Sequence, residues 1–319
     1  MTSFTDDALH TGPVTFMGAP YSLDLAGAKA AVLGIPFDCG IHQFRVGSRE
    51  GPRSIREQSM LVRPFNSELA DFNPLTRLGL VDRGNVELTP SRMVDAFERI
   101  EAACKLIHDS GAIPVTMGGD GSVSLPQLRA AGRRYPGLVA LHIDAHTDSY
   151  GYVEPDKYNA ATQFTHAAEE QLLLASRSYH VGVRGTTYTP GAYTFTRSLG
   201  YNIITMRELF QRGFDDVIAE LGAALAGRPV YLCFDMDVFD PSCAPGVCSP
   251  TWGGFTAREG IDFLRAIAAL KLDIVAVDVN TVSPAHDVNG MAAFLAAHVM
   301  YEGLVMLCRK LGLDAPEAA

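Results

Sequence analysis

Two short acidic segments carry side chains whose types and spacing suit a metal ion. The first is Asp144-Ala145-His146-Thr147-Asp148, and the second is Asp235-Met236-Asp237, with Asp240 close behind. Each follows an apolar run, residues 138–143 or 230–234, that is typical of a buried parallel strand. In an open α/β sheet, ligands bind at the carboxyl ends of the strands. We therefore expect five side chains to converge there as metal ligands: Asp144, His146, Asp148, Asp235 and Asp237.

Four converging carboxylates repel one another unless they bind a cation, pair with Arg or Lys, or take up protons. Carboxylate oxygens with a single imidazole suit Mn²⁺ and similar ions better than an ion that prefers thiolates. A single Asp after a strand is more often a helix or turn cap. Two such segments together favour a metal site.

The rest of the pattern predicts the elements that position these segments. Strands are predicted at residues 30–36, 112–117, 138–143, 179–184, 230–234 and 274–279. Helices are predicted between them, including one capped by Thr89, one capped by Thr256 and a final one over residues 291–311. This alternation indicates an α/β fold with one mostly parallel sheet and helices on both faces. No linker interrupts it, so we expect one domain over residues 1–319, with residues 1–13 as a loose N-terminal arm.

Composition excludes several classes of protein. The 319 residues carry a net charge of −10, which argues against a general nucleic-acid binder. We find no apolar run long enough to span a membrane and no signal-peptide pattern. The six cysteines form no CxxC pair and indicate buried thiols in a reducing compartment, so we expect a cytoplasmic protein. Cys243 and Cys248 flank a turn where a disulfide or metal ligation stays open, although free thiols are favoured.

The chain resembles the ureohydrolase family of arginases and agmatinases, and is most similar to the agmatinase branch. The segment Asp144-Ala145-His146-Thr147-Asp148 matches one family signature unchanged. Asp235-Met236-Asp237-Val238-Phe239-Asp240-Pro241, followed by Ala244-Pro245-Gly246, matches another, and Val282-Ser283-Pro284 matches a third. The resemblance implies a three-layer α/β/α fold and assembly into trimers or hexamers. It also implies two Mn²⁺ ions, roughly 3.5 Å apart, that are bridged by a hydroxide. In the family that hydroxide attacks a guanidinium carbon, and urea leaves.

The resemblance also assigns the ligands to two sites. Asp144 and Asp235 would bridge both metals. Asp148 would complete what we call the first site, and His146 and Asp237 would complete the second site.

Three positions depart from the family pattern. In Gly118-Gly119-Asp120-Gly121-Ser122, Gly121 stands where the family has a His that binds the first metal. Ala160 stands where a His serves in proton transfer, and Thr281 stands where a Glu pairs with the substrate guanidinium. Thr251-Trp252 lacks an acidic residue that agmatinases carry, which is a smaller departure.

These losses add up. Removing an acid/base residue commonly costs about 10²–10⁴-fold in rate. Removing a charge-assisted hydrogen bond costs about 1.5–3 kcal/mol. The first site keeps three carboxylates but no imidazole, so its metal affinity should fall. Together the changes indicate that the chain does not hydrolyse a guanidine by itself.

Four nearby residues could offset these losses, but each has a plainer interpretation. His166 is expected to lie at a helix start, and His286 at the pocket mouth. His142 lies inside a strand, where a satisfied core His is expected. Asp120 is expected to hold its loop.

Three functions remain in competition. The first is a degenerate subunit, similar to that of the two-component metformin hydrolase, which pairs with an active paralogue that acts on a small guanidino or biguanide substrate. The second is an active metal-dependent C–N hydrolase of an atypical guanidino or biguanide substrate. The third is a non-enzymatic metal-binding protein. The implied cofactor is a divalent metal, Mn or Ni, with one ion per chain or none in this subunit.

Overall fold

The computed structural model describes residues 12–40, 42–68 and 71–316. The predicted arm, residues 1–13, lies almost wholly outside the described residues. The strands are β1 Ala30–Gly34, β2 Val81–Asn85, β3 Ile113–Met117, β4 Val139–Ile143, β5 Tyr179–Val183, β6 Asn202–Thr205, β7 Pro229–Asp235 and β8 Asp273–Asn280. The helices are α1 Gly51–Ser59, α2 Pro74–Leu78, α3 Met93–Asp109, α4 Ser124–Arg134, α5 Gln163–Glu169, α6 Ala192–Ser198, α7 Met206–Arg212, α8 Phe214–Leu225, α9 Ala257–Ala269 and α10 Met291–Lys310.

The eight strands form one parallel sheet in the order β2-β1-β3-β8-β7-β4-β5-β6. Alternate residues of a strand face opposite sides of a sheet. Accordingly, Val32 of β1 belongs to a core with α8, α9 and α10, whereas Leu33 belongs to a second core with α3 and α4. Two apolar layers, one on each face, confirm the predicted α/β/α architecture.

Strand register brings the acidic segments together. Ile143 of β4 pairs with Phe234 of β7, so Asp144 and Asp235 end neighbouring strands side by side. Asp235 also pairs with Asn280 of β8. Because Met117 of β3 pairs with Val279, the turn at residues 118–122 leaves the sheet at the same edge.

Some sequence predictions were wrong in detail. The helix predicted to be capped by Thr89 begins at Met93, because Thr89 accepts a turn hydrogen bond from the Arg92 amide instead. The helix predicted to start at Thr256 is confirmed, and Thr256 caps it with a reciprocal bond to Glu259. Strands β2 and β6 were missed. Both are edge strands, and β2 has the polar sequence Val-Asp-Arg-Gly-Asn, which carries no strand pattern.

Helix α10 corrects the statement that no apolar run could span a membrane. By length and composition it could, but 78% of its apolar window is buried inside the fold. It packs on α9 and β8 as a core helix.

Candidate metal centre

The structure brings the five predicted ligands into one buried cluster. The side chains of Asp144, Asp148, Asp235 and Asp237 are each at most 6% exposed. His146 Nδ1 lies 3.3 Å from Asp144 Oδ1 and 3.6 Å from Asp237 Oδ2. The ligand atoms of Asp144, His146 and Asp237 all lie within 4.8 Å of one another, a spacing that one metal ion could bridge.

Orphaned oxygens in this cluster fit a cation. Both carboxylate oxygens of Asp144 and Oδ1 of Asp237 are buried without a hydrogen-bond partner among the residues that the structure describes. Buried polar atoms of this kind are rare unless something satisfies them. His146 Nε2, on the far side of the ring, lies 3.4 Å from Thr251 Oγ1. A partner at that nitrogen fixes the ring so that Nδ1 faces the carboxylates.

Charge repulsion is visible in the pKa values of the cluster. Burial and the charge of Asp144 raise the pKa of Asp235 to about 6. Burial and the same neighbour raise the pKa of Asp148 and Asp237 well above the usual range. Burial would also raise the pKa of Asp144, but contacts with His142 and His146 hold it well below the usual range. A bound cation would offset this repulsion, because metal binding favours the deprotonated carboxylates.

His142 is not the satisfied core histidine that the sequence suggested. It is fully buried, and its Nδ1 lies 2.8 Å from His180 Nδ1. Its Nε2 lies 3.2 Å from Asp144 Oδ2 and 3.6 Å from Asp235 Oδ1, without a directed hydrogen bond. Burial alone would lower the pKa of His142, but these two carboxylates raise it to about 10. The available signal was strand periodicity, because residues two apart share a face and Asp144 directly follows β4.

Gly121 borders the first site but contributes no ligand atom. A Cβ built on it would lie 3.0 Å from Asp148 Oδ2 and 3.2 Å from the carbonyl oxygen of Ala160. The same Cβ would lie 2.6 Å from Nε2 of Gln163, which donates a hydrogen bond to Asp148 Oδ2. Gln163 was missed, because no motif in the sequence marks it.

Thr281 lies at the end of β8 with its hydroxyl fully engaged. Its Oγ1 donates to the Asn280 carbonyl at 2.7 Å and accepts from the Met236 amide at 2.9 Å. Its φ is +72°, a conformation that is rare for a β-branched residue and typical of functional sites. Thr281 thus fixes the second acidic segment and offers no carboxylate to a guanidinium.

The other candidate residues have structural contacts. His166, on α5, has Nε2 at 2.7 Å from the Lys157 carbonyl and packs between Tyr152 and Tyr158. Asp120 accepts hydrogen bonds from the Ser122 and Cys39 amides, which holds the turn as expected.

Two remaining predictions concern His286 and the cysteines. His286 is half-buried, and its Nε2 has no hydrogen-bond partner among the described residues. Cys243 and Cys248 are free thiols and form no disulfide.

Comparisons with known proteins agree with this geometry. Residues 28–306 match the arginase family. Guanidinopropionase of Pseudomonas aeruginosa is 36% identical over 307 residues, which cover 95% of this chain and 94% of that protein. Agmatinase of Chromobacterium violaceum is 33% identical over 302 residues, covering 94% and 90%. The crystal structure of proclavaminate amidino hydrolase from Streptomyces clavuligerus superposes with a TM-score of 0.89 at 30% identity, covering 94% of this chain and 98% of that one. Family match, coverage and fold agree, and the chain belongs to the arginase family of ureohydrolases.

Proposed function

We propose that this chain is the catalytically degenerate subunit of a hetero-oligomeric guanidine or biguanide hydrolase of the metformin hydrolase type. Its partner is an active ureohydrolase paralogue in a trimer or hexamer, and a small guanidino or biguanide substrate is hydrolysed by the complex. One observation supports this most: Gly121, Ala160 and Thr281 supply neither the imidazoles nor the carboxylate that the family chemistry uses. The intact fold around them suits an assembly role.

The donors of the second site fit one divalent ion, Mn or Ni. Asp144, His146 and Asp237 have metal-ligand spacing and would hold it, together with Asp235 as the family resemblance implies, and Thr251 would keep the His146 ring in place. A bound ion of this kind lowers the pKa of a coordinated water and polarises a substrate. We expect at most one metal per chain, because the first site has no ligand at position 121.

Three steps of the chemistry then lack a residue. A substrate guanidinium finds no carboxylate at Thr281, where the lost hydrogen bond is worth about 1.5–3 kcal/mol. No imidazole at residue 160 moves the proton, which costs about 10²–10⁴-fold. With one metal, the clamp on the attacking water is incomplete.

An active hydrolase with an altered metal centre is the second candidate. The observation in its favour is His142, because His142, Asp144, Asp148 and Asp235 together form a second group with metal-ligand spacing. In that case the substrate would be an atypical guanidine or biguanide that needs no carboxylate at position 281.

Co-expression separates the two candidates. The chain is purified alone and with a paralogue encoded beside it, and urea release is measured on a guanidine and biguanide panel with Mn²⁺ or Ni²⁺. We expect a stable complex with activity and an isolated chain at least about 10³-fold slower. A matched complex, in which the partner lacks one metal-binding Asp, should be inactive. A homo-oligomer with full urea release would refute the proposal, and bound metal without a partner or turnover would support a non-enzymatic metal-binding protein.

A further inference from the structure

The side chain of Gln163 fills the space beside Asp148. Gln163 begins α5, and its side chain is 1% exposed. Its Nε2 donates to Asp148 Oδ2, and its Oε1 has no hydrogen-bond partner among the described residues. This orientation is the one in which an amide satisfies a carboxylate, because the opposite orientation would place two oxygens against each other.

The same amide occupies the place into which a side chain at position 121 would project. A Cβ at Gly121 would come within 2.6 Å of Gln163 Nε2, a distance that real Cβ atoms essentially never show. The backbone does not require glycine here, since Gly121 is not among the residues with positive φ. A longer side chain at position 121 therefore requires the Gln163 amide, the far end of a flexible side chain, to move.

The two sites differ in how their carboxylates are satisfied. At the second site, Asp237 keeps an orphaned buried oxygen, as does Asp144, which both sites share. At the first site, Asp148 has an amide donor from the protein itself. An N–H group thus faces the carboxylate oxygen that would lie 3.0 Å from a Cβ at position 121.

We propose that Gln163 closes the first site: its amide takes the place of the missing ligand and occupies Oδ2 of Asp148, the oxygen beside position 121. The inference rests on the proposed function, which gives the chain one metal. It adds that a second residue, Gln163, prevents a histidine at position 121 from restoring the first site by itself. Restoring the imidazole alone then fails to restore the site, because the amide occupies its space.

Metal stoichiometry tests this without any assay of turnover. Manganese per full-length chain is measured by mass spectrometry after equilibrium dialysis for the wild type, Gly121→His, and Gly121→His with Gln163→Ala. We expect one, one and two ions per chain. Gly121→His with Gln127→Ala is the matched control, because Gln127 is another buried glutamine, bonded to Thr116 and not to a candidate ligand. It should also stay at one.

The outcomes separate this inference from the proposed function. Two ions in the wild type would overturn both the single-metal centre and the role of Gln163. If the wild type binds one ion, two results would overturn the inference alone. One is two ions in Gly121→His or in the control, and the other is only one ion in Gly121→His with Gln163→Ala.

A wild-type measurement covers the case in which a variant does not fold. The Gln163 side-chain amide is followed by NMR while diamagnetic Zn²⁺ is added to saturation. A signal that stays protected from exchange supports the closed site, and loss of that protection overturns it.

Discussion

The two halves of the acidic cluster share Asp144 but differ in how their other side chains are arranged and satisfied. The second site keeps His146 and Asp237, oriented by Thr251 and by the hydroxyl of Thr281. The first site has glycine in place of an imidazole and an amide bonded to its remaining carboxylate. Asp237 keeps an orphaned oxygen that a cation would satisfy, whereas Asp148 accepts a hydrogen bond from an amide of the protein.

The difference between the two halves depends on whether a residue lies at the end of a central strand or on a loop. Asp144 and Asp235 lie at the ends of two central strands, and the Asp144 amide donates to the Val181 carbonyl at 2.9 Å. Gly121 and Ala160 come from the loops after β3 and β4, where side-chain losses leave the sheet pairing intact. Positions that carry chemistry on loops can therefore change while the core stays folded.

The largest expected effect is on metal affinity. His146→Ala removes a donor of the second site, and we expect Mn²⁺ binding to weaken more than about 100-fold, beyond the cost of losing an outer partner. Asp148→Asn should weaken it less than about 10-fold, because Asp148 is held by Gln163 and not by the metal. Isothermal titration calorimetry measures both. An equal loss of Mn²⁺ affinity in the two variants would show that both halves of the cluster contribute equally to metal binding.

A smaller effect is expected when the lost carboxylate is put back. Thr281→Glu places a charge beside Asp235 and Asp237, at a residue 3% exposed, and removes the bond to the Met236 amide. We expect the free energy of unfolding to fall by about 2 kcal/mol or more. The matched variant Thr281→Ser keeps the hydroxyl and should change it by less than about 1 kcal/mol. Urea denaturation in chelator measures both, and a fully stable Thr281→Glu would contradict the structural role of the hydroxyl.

The smallest effect concerns pH in the metal-free chain. The pKa of His142 rises from 6.5 to about 10 on folding, so its contribution to stability is complete below 6.5 and is lost as the pH rises through 10. Between pH 7.5 and 9 we expect the free energy of unfolding to fall by up to about 1.4 kcal/mol per pH unit. Urea midpoints in chelator measure the slope.

Two variants test whether His142 causes this dependence of the free energy of unfolding on pH. His142→Gln should reduce it, because the group that binds the extra proton is gone. His108→Gln should not, since burial lowers the pKa of His108 to about 4 and leaves it neutral throughout this range. Equal slopes in wild type and His142→Gln would mean that the imidazole does not face the acids as observed.

Much of the fold was predictable from local pattern. Six strands were predicted within two residues of their observed bounds, because central parallel strands are continuous apolar runs. The edge strands β2 and β6 were not. Asp82 of β2 is buried, and its charge is paired with Arg56. The two residues are 26 apart in the chain, so no local pattern reveals this contact.

The sequence by itself determined the chemistry that is available: acids at the ends of two strands, and no imidazole or carboxylate at positions 121, 160 and 281. An absent functional group is absent in any fold. Tertiary structure alone decided that His142 lies beside Asp235 and that Gln163 fills the space beside Gly121. The physical reason is that these contacts depend on strand register and on the packing of two loops, which join atoms of residues that are distant in the chain.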